Sequence, residues 1–510
     1  MEYSQINSCS GISGADHLGF WPKIATLAMV CALSACSLAP KTAMAPMQLP
    51  AAWKNAAPAP GWVSADAARA WSQGQWWLLF DDPLLPELMA RVERQNQNLK
   101  LAAANVAQAQ ALLRQQQAAL WPQLGGQLGQ QRSGGDGRAT TGSASVNLNA
   151  SWAPDLWGRV GDAVNAQSAN VQLSQADLAG ARLSAQASLA TAYLALRETD
   201  AELALMDEII TGYQRSARIT QNRYDVGVAP RTDTLQAEST LRNAQATRES
   251  LARNRADYAH AIALLVGEAP AALSLPVASW VNAVPAVPAE LPAPLLLRRP
   301  DVAGAERAVA AANAQIGVAR AGYFPSVSLS ASLGGGGATL ADVASAPALL
   351  WSLGLSVAQT VFDAGATSAR VEQQMAARDA AVARYRQAAL TAMKEVEDQL
   401  NALARLAEQS EHVRAAAQAA ERIEQQQMNR YQAGFSSYTD VVTAQASALG
   451  ARRSLLQLQV RRQQAAVGLI QALGGGWQVP WGEGASVGTP VGAAGRVPVS
   501  AQALAAAPAR

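Results

Sequence analysis

Ser326-Val327-Ser328-Leu329-Ser330-Ala331-Ser332-Leu333 alternates serine with an apolar residue at every step. Successive side chains of a strand point to opposite faces, so Val327, Leu329, Ala331 and Leu333 share one face and four serines share the other. Ser145-Val146-Asn147-Leu148-Asn149-Ala150-Ser151-Trp152 repeats the pattern. Leu353, Leu355 and Val357 alternate with Ser352, Gly354 and Ser356, and Leu124 and Leu128 do so more weakly. Four strands are expected, at about 123–132, 144–153, 325–334 and 349–358. Their lengths match the roughly 9–11 residues that cross a bilayer with apolar side chains toward lipid and polar ones toward a lumen. Aromatics are only 5% of the chain, yet Trp121, Trp152, Trp157, Tyr323, Phe324, Trp351 and Phe362 flank these segments. That clustering is expected of an interfacial girdle. Two soluble hairpins packed on a helical core would alternate in the same way, but would not gather aromatics at their ends.

Four strands do not close a membrane barrel, which begins at about eight. An open sheet in lipid leaves unpaired backbone groups at both edges, each costing several kcal/mol. Several chains are therefore expected to contribute strands to one barrel.

Outward from the strands, the chain is written twice. Arg223-Tyr224-Asp225-Val226-Gly227, continuing through Thr232 and Asp233, is matched by Arg430-Tyr431-Gln432-Ala433-Gly434, continuing through Thr439 and Asp440. Leu120-Trp121-Pro122 matches Tyr323-Phe324-Pro325, and Leu156-Trp157 matches Val361-Phe362, all about 205 residues apart and in the same order. The copies span about 80–270 and 295–475, joined by a linker at 271–294. In each, a helical run ends at the aromatic-Pro, because the residue before proline is pushed out of the α region. Two strands follow, then a long helical stretch. Ala366 to Gln432 contains neither Gly nor Pro, enough for roughly 100 Å of helix unless a hairpin near 405–413 halves it. Alanine-rich helices approach closely on more than one side and suit a curved wall.

The N-terminus carries a different signal. Lys23 precedes the short apolar run Ile24–Ala32, then Leu33-Ser34-Ala35-Cys36. A positive charge, about ten apolar residues and small residues before a cut describe an export leader over 1–35. Leu-Ser-Ala-Cys resembles the bacterial lipobox, so Cys36 is expected to carry lipid. Ser37 follows it, where an Asp would retain many lipoproteins in the inner membrane. A lipidated segment is then expected over 36–79. All three cysteines, Cys9, Cys31 and Cys36, lie in this region, which excludes a disulfide framework.

The double repeat, the aromatic-Pro before each strand pair, the Arg-Tyr-x-x-Gly…Thr-Asp segments and Leu297-Arg298-Arg299-Pro300-Asp301 resemble the TolC-type outer-membrane efflux factors. The lipobox places the chain nearer the OprM/NodT-like lipoprotein branch. The resemblance implies a mainly α fold with a transmembrane β part: a homotrimer whose 12-stranded β-barrel, four strands per protomer, is continued by a periplasmic 12-helix α-barrel with a mixed equatorial domain. It places the Arg-Tyr-x-x-Gly breaks (Arg223, Tyr224, Gly227, Thr232, Asp233 and Arg430, Tyr431, Gly434, Thr439, Asp440) in that equatorial belt. It places the periplasmic helix tips near 197–202 and 405–411, making Asp200, Glu202, Glu408 and Glu411 gate candidates that a threefold axis would turn into rings. The implied role is a passive exit duct for small molecules such as drugs. An inner-membrane pump of the RND type would deliver them through a periplasmic adaptor. Type I protein secretion and a lipid-tethered helical scaffold are the alternatives.

Other chemistry is missing. Beyond the leader there are two histidines, His260 and His412, far apart, and no His-Glu-x-x-His, Cys-x-x-Cys, phosphate loop or nucleophile elbow. No enzyme, cofactor or metal site is expected. A net charge of +2 gives no basis for nucleic-acid binding. Gly334–Gly337 reads as a flexible external loop, and 476–510, rich in Ala, Pro and Gly, as a disordered tail.

Overall fold

The computed structural model describes residues 37–40, 53–54, 74–285, 299–345 and 350–481. The leader, Cys36, most of 41–73, Leu297, Arg298 and the tail from 482 lie outside the described residues. The alternating segments become β1 (Gln123–Gly135), β2 (Arg138–Trp152), β3 (Ser326–Gly337) and β4 (Leu350–Ala358). They form one antiparallel sheet in that order. Register collects the apolar residues into rows. Leu148 lies opposite Leu333, and Leu333 opposite Trp351; Ala150, Ala331 and Leu353 form the next row, then Trp152, Leu329 and Leu355. The other face carries Asn149, Ser332 and Ser352, and Ser151, Ser330 and Gly354. On the apolar face Leu124, Trp351, Leu353 and Leu355 are 69–75% exposed, so among the described residues most of that face is uncovered. β1 and β4 are open edges among the described residues.

Two expectations about the strands are corrected. β2 begins at Arg138 rather than 144, and β1 runs on to Gly135. Residues 130–133 and 141–143 are Gln, Arg, Ser, Thr and Gly, so no apolar alternation marks this outer part of the hairpin. Gly334–Gly337 is not a loop: it is the end of β3, paired with residues 144–147 of β2. Glycine is needed there for space, since a Cβ on Gly334 would stand 2.2 Å from the Asn147 side-chain oxygen.

The aromatics divide between the two ends of the sheet. Trp121, Trp152, Trp157, Phe324 and Phe362 lie where strands meet helices, and Trp351 stands at the far end, at the start of β4. From Trp351 to Ala358 the strand covers about 23 Å, close to the roughly 25 Å apolar band of outer-membrane barrels. Trp121 and Phe362 are highly exposed. Trp157 is half-buried, donating its indole N–H to the Pro325 carbonyl at 2.6 Å and stacking on Phe324 at 5.0 Å. It fastens one repeat to the other.

The helices are α1 (Leu85–Gln95), α2 (Gln97–Ala118), α3 (Arg159–Asp225), α4 (Arg231–Val266), α5 (Pro300–Arg320), α6 (Leu340–Ser345), α7 (Ala366–Gln432) and α8 (Tyr438–Ala472). α3 and α7 are each 67 residues long, about 100 Å. They start just after the sheet and run through without a break, so there is no hairpin near 405–413. On the sheet side α2 packs on α3, and α5 lies between α3 and α7. On the far side α4 packs on α3, and α8 lies between α3 and α7. Four helices thus stand side by side at both levels. Among the described residues no helix is long and apolar enough to cross a membrane.

The largest apolar core lies at mid-height, where α4 and α8 end. Trp76, Phe80, Leu85, Met89 and Val92 pack there on Leu189, Tyr193 and Leu196 of α3, Ile262 and Val266 of α4, and Leu469 and Ile470 of α8. The residue after α4 is Gly267, with φ +77°, and a Cβ there would stand 2.5 Å from the Gln95 carbonyl oxygen, so only glycine fits.

Placing a cation on the apolar face of the sheet is expected to cost about 2–4 kcal/mol at mid-membrane depth. Leu355→Arg should therefore sharply lower the amount of heat-resistant protein recovered from the outer membrane. Ser356→Arg, one residue on and on the polar face, should leave recovery near normal.

Candidate functional site at the helix tips

The ends of α3 and α7 farthest from the sheet are built by the repeated motif. Gly227 and Gly434 take left-handed backbone angles, φ +74° and +81°, which glycine adopts without steric cost. The Gly227 N–H donates to the Tyr224 carbonyl at 2.9 Å and the Val228 N–H to the Arg223 carbonyl at 2.8 Å. In the second copy Gly434 donates to Tyr431 at 3.0 Å and Phe435 to Arg430 at 2.8 Å. Both are Schellman closures that satisfy the last helical carbonyls and turn the chain back. α8 then opens with a capping box, the Ser437 hydroxyl accepting from the Asp440 N–H while the Asp440 carboxylate accepts from the Ser437 N–H. α4 opens from Pro230 without a side-chain cap.

These turns bring the motif residues of the two copies together. The Arg223 guanidinium lies 4.9 Å from the centre of the Tyr431 ring and donates to the Gln432 carbonyl at 3.1 Å. The Tyr431 hydroxyl donates to Asp233 at 3.3 Å, and its ring packs edge-on against Tyr438 at 5.2 Å. Burial, then Asp233, pushes the Tyr431 hydroxyl above its ordinary value; Tyr438 is pushed up to about 12, mainly by burial. Both hydroxyls stay protonated at neutral pH and can donate. Tyr224, Gly227, Thr232, Arg430, Gly434, Thr439 and Asp440 are exposed at the same end.

The placement of tips and belt is thus the reverse of the sequence expectation. The Arg-Tyr-x-x-Gly segments are the tips, and the segments at 197–202 and 405–411 lie well inside α3 and α7. A helix turns where a residue with positive φ permits it, and neither segment contains one. Asp200 is not on a tip surface: its side chain is 1% exposed, bridging Arg197 at 2.9 Å and Arg255 at 2.5 Å. Arg197 also donates to the Tyr193 hydroxyl and the Pro276 carbonyl, and Arg255 to the Leu275 carbonyl. Tyr193 in turn donates to Asp82 at 2.7 Å. The network straps the linker after α4 against the mid-height core. Glu202 is buried and accepts from Arg453 and Gln457 of α8 at 3.3 and 3.2 Å. Glu408 and Glu411 are exposed and pair within α7 with Arg405 and Arg414.

The belt is not legible in the sequence because its members come from many separated segments. The Gln463 amide donates to the Val281 and Ala283 carbonyls while accepting from the Trp280 indole. Arg299, from the motif that opens the second copy, bridges Asp301 and Glu395 and donates to the Ala472 carbonyl at the end of α8, where a cation also suits the helix dipole. Glu198 lies one turn from Glu202 on α3. Burial first, then the charge of Glu202, pushes its carboxyl up to about 7, with Arg461 and Arg453 opposing. Near the sheet, the Ser37 hydroxyl donates to buried Asp162 at 2.6 Å, in the first turn of α3. Asn313 and Arg320 of α5 hold the Pro40 and Leu38 carbonyls. Among the described residues no group of His, Cys, Asp or Glu is arranged to hold a metal.

The family model described as "Outer membrane efflux protein" matches residues 88–268 and 291–475. Pyoverdine export outer membrane protein OpmQ of Pseudomonas aeruginosa is 31% identical over 462 residues, covering 88% of this chain and 95% of its own. Probable efflux pump outer membrane protein TtgC of Pseudomonas putida is 31% identical over 473 residues, covering 90% and 97%. The open state of the MtrE outer membrane channel of Neisseria gonorrhoeae superposes with a TM-score of 0.77 at 26% identity, over 87% of this chain and 99% of that one.

Two outcomes follow from the belt. Asp200→Ala leaves Arg197 and Arg255 without their shared anion, which is expected to cost about 3–5 kcal/mol and to lower the thermal unfolding midpoint. Glu198 binds, when folded, a proton that the unfolded chain releases above its ordinary value of 4.5. Its contribution to stability is therefore lost as pH rises from about 4.5 through about 7. Glu198→Gln should melt higher than the parent protein at pH 8 and at nearly the same temperature at about pH 4, below the ordinary value of 4.5, as read by circular dichroism.

Proposed function

The chain belongs to the outer membrane efflux protein family, and we propose that three copies form a passive exit duct for small molecules delivered by an inner-membrane pump. The outer membrane is its location. The observation that carries the proposal is the sheet: one apolar face, one polar face and two open edges, at the head of helices about 100 Å long. Three such sheets supply twelve strands, and three sets of four helices supply a twelve-helix wall. The apolar face then meets lipid and the serine and asparagine face lines water. Small-molecule cargo is favoured by the relatives, whose names include pyoverdine export and toluene efflux. No ATP-binding motif occurs, so energy comes from the pump. An RND-type transporter working through a periplasmic adaptor is the partner the family resemblance implies.

The tips and the belt take different parts. The tips, with their interlocked motif residues, are the closing element, and Asp225, Asp233 and Asp440 are the carboxylates that belong to them. The belt fixes the long helices at mid-height. Ser37, held by Asp162 in the first turn of α3, ties the segment that follows the lipobox to the membrane end of the helices, which suits a lipid on Cys36.

Purified protein is expected to give stepwise conductance in planar bilayers, and Asp233→Asn to raise it by loosening the tips. Deleting the gene should increase susceptibility to several unrelated compounds. A bilayer that stays silent under every condition would contradict the duct.

A further inference from the structure

One groove is lined mostly by residues that take no part in the sheet, the polar belt or the tips. It runs over α3 from Gln175 to Gln186, between α1 and the chain that follows α8, and holds about 720 Å³. Sites for small organic ligands span roughly 300–1,000 Å³. Trp77 and Trp477 line it, both half-buried. Each is held edge-on by a second tryptophan: Trp77 by Trp76 at 5.8 Å, and Trp477 by Trp481 at 6.1 Å. Trp76 is fully buried in the mid-height core, so the Trp77 ring rests on a fixed support. Trp477 is returned to the groove by Gly474, Gly475 and Gly476, all with positive φ, a run of backbone angles that glycine adopts without steric cost. A Cβ on Gly475 would also stand 2.4 Å from the Leu183 side chain.

The polar part of the lining is mainly amide. The Gln75, Gln175 and Gln478 side chains have no hydrogen-bonding partner among the described residues. Glu93 and Arg182 are the only charged groups in the described lining, and they cancel: Glu93 accepts from Arg182 at 2.8 Å and from Gln186 at 2.9 Å. Such a groove offers no free cation to a phosphate and no free carboxylate to an amine. Flat indole faces take the C–H face of a sugar ring, and free amides exchange hydrogen bonds with hydroxyl and acetamido groups. Leu183, at the groove, lies roughly 36 Å along α3 from its start beside the sheet. That height is in the periplasm, where the neutral amino-sugar polymer is the cell wall. We propose that the groove binds a strand of cell-wall glycan through its N-acetylated amino sugars, tethering the duct to the wall at mid-height. The chemistry of the site stands on its own; its placement in the periplasm rests on the duct proposed above.

Calorimetric titration of the purified full-length protein with the β-1,4-linked tetramer of N-acetylglucosamine tests the site. The tetramer should bind, with affinity unchanged at about 1 M salt, where charges are screened beyond about 3 Å. Trp477→Ala should weaken binding by about tenfold or more. Gln175→Ala, a change that a helix surface accepts readily, should weaken it about threefold, so a folding defect at 477 does not decide the matter. Purified cell walls should sediment the parent protein and leave the Trp477→Ala variant in solution. Full affinity in both variants, or no binding by protein that conducts in bilayers, would overturn the site. Binding that appears only after residues 482–510 are removed would overturn it too, because the tail is then the occupant. Binding of the tetramer without sedimentation by cell walls would overturn the wall as the ligand's source. Protein that is silent in bilayers yet binds the tetramer through Trp477 and Gln175 would count against the duct alone.

Discussion

Backbone N–H and C=O groups have no water to bond in the hydrocarbon core of a bilayer, and the rest of the architecture answers to that constraint. The sheet of one chain satisfies its groups internally except along the outer sides of β1 and β4. With one face apolar and largely exposed among the described residues, it has no protein core to retreat into. Sharing a barrel with other copies is the solution that pairs both edges and leaves the apolar face in lipid. The serines and asparagines opposite then meet a water-filled lumen.

The long helices extend the same geometry away from the membrane. Because α3 and α7 start directly after the strands, each repeat contributes one rod about 100 Å long and one shorter return helix. The return helices end near mid-height, leaving four carbonyls at each end to be satisfied. The belt does this work: Arg299 takes the Ala472 carbonyl, and Gly267 turns the chain against Gln95. Stiffness at mid-height and interlocking at the tips are thus separate devices. The belt is built from buried charges and linker carbonyls, whereas the tips join the two copies through the buried rings of Tyr431 and Tyr438, with Arg223 and Asp233 beside them.

Much of this was legible in the residues. Period-two alternation located all four strands, since a half-buried face leaves a direct trace in the sequence. The repeat was found through Arg-Tyr-x-x-Gly because its glycine is required by a positive φ. What went wrong was the height at which that motif sits. A stretch without Gly or Pro was divided at a charged segment, although charge does not turn a helix. The glycine with the left-handed backbone does, and it is the glycine of the repeated motif. Asp200 illustrates a second limit. Its partners Arg197 and Arg255 lie on different helices and are themselves held by the Pro276 and Leu275 carbonyls, and a single sequence does not say that a carboxylate is enclosed by two guanidinium groups. The polar outer part of β2 escaped for a simpler reason: strand outside the membrane has no apolar face to mark it.

The claim that several copies complete one barrel is tested most directly by the mass of the intact assembly. Native mass spectrometry of the protein released from outer membranes in a mild detergent is expected to give three times the mass of the mature chain. A single-chain mass, under conditions that keep the helices folded, would contradict it.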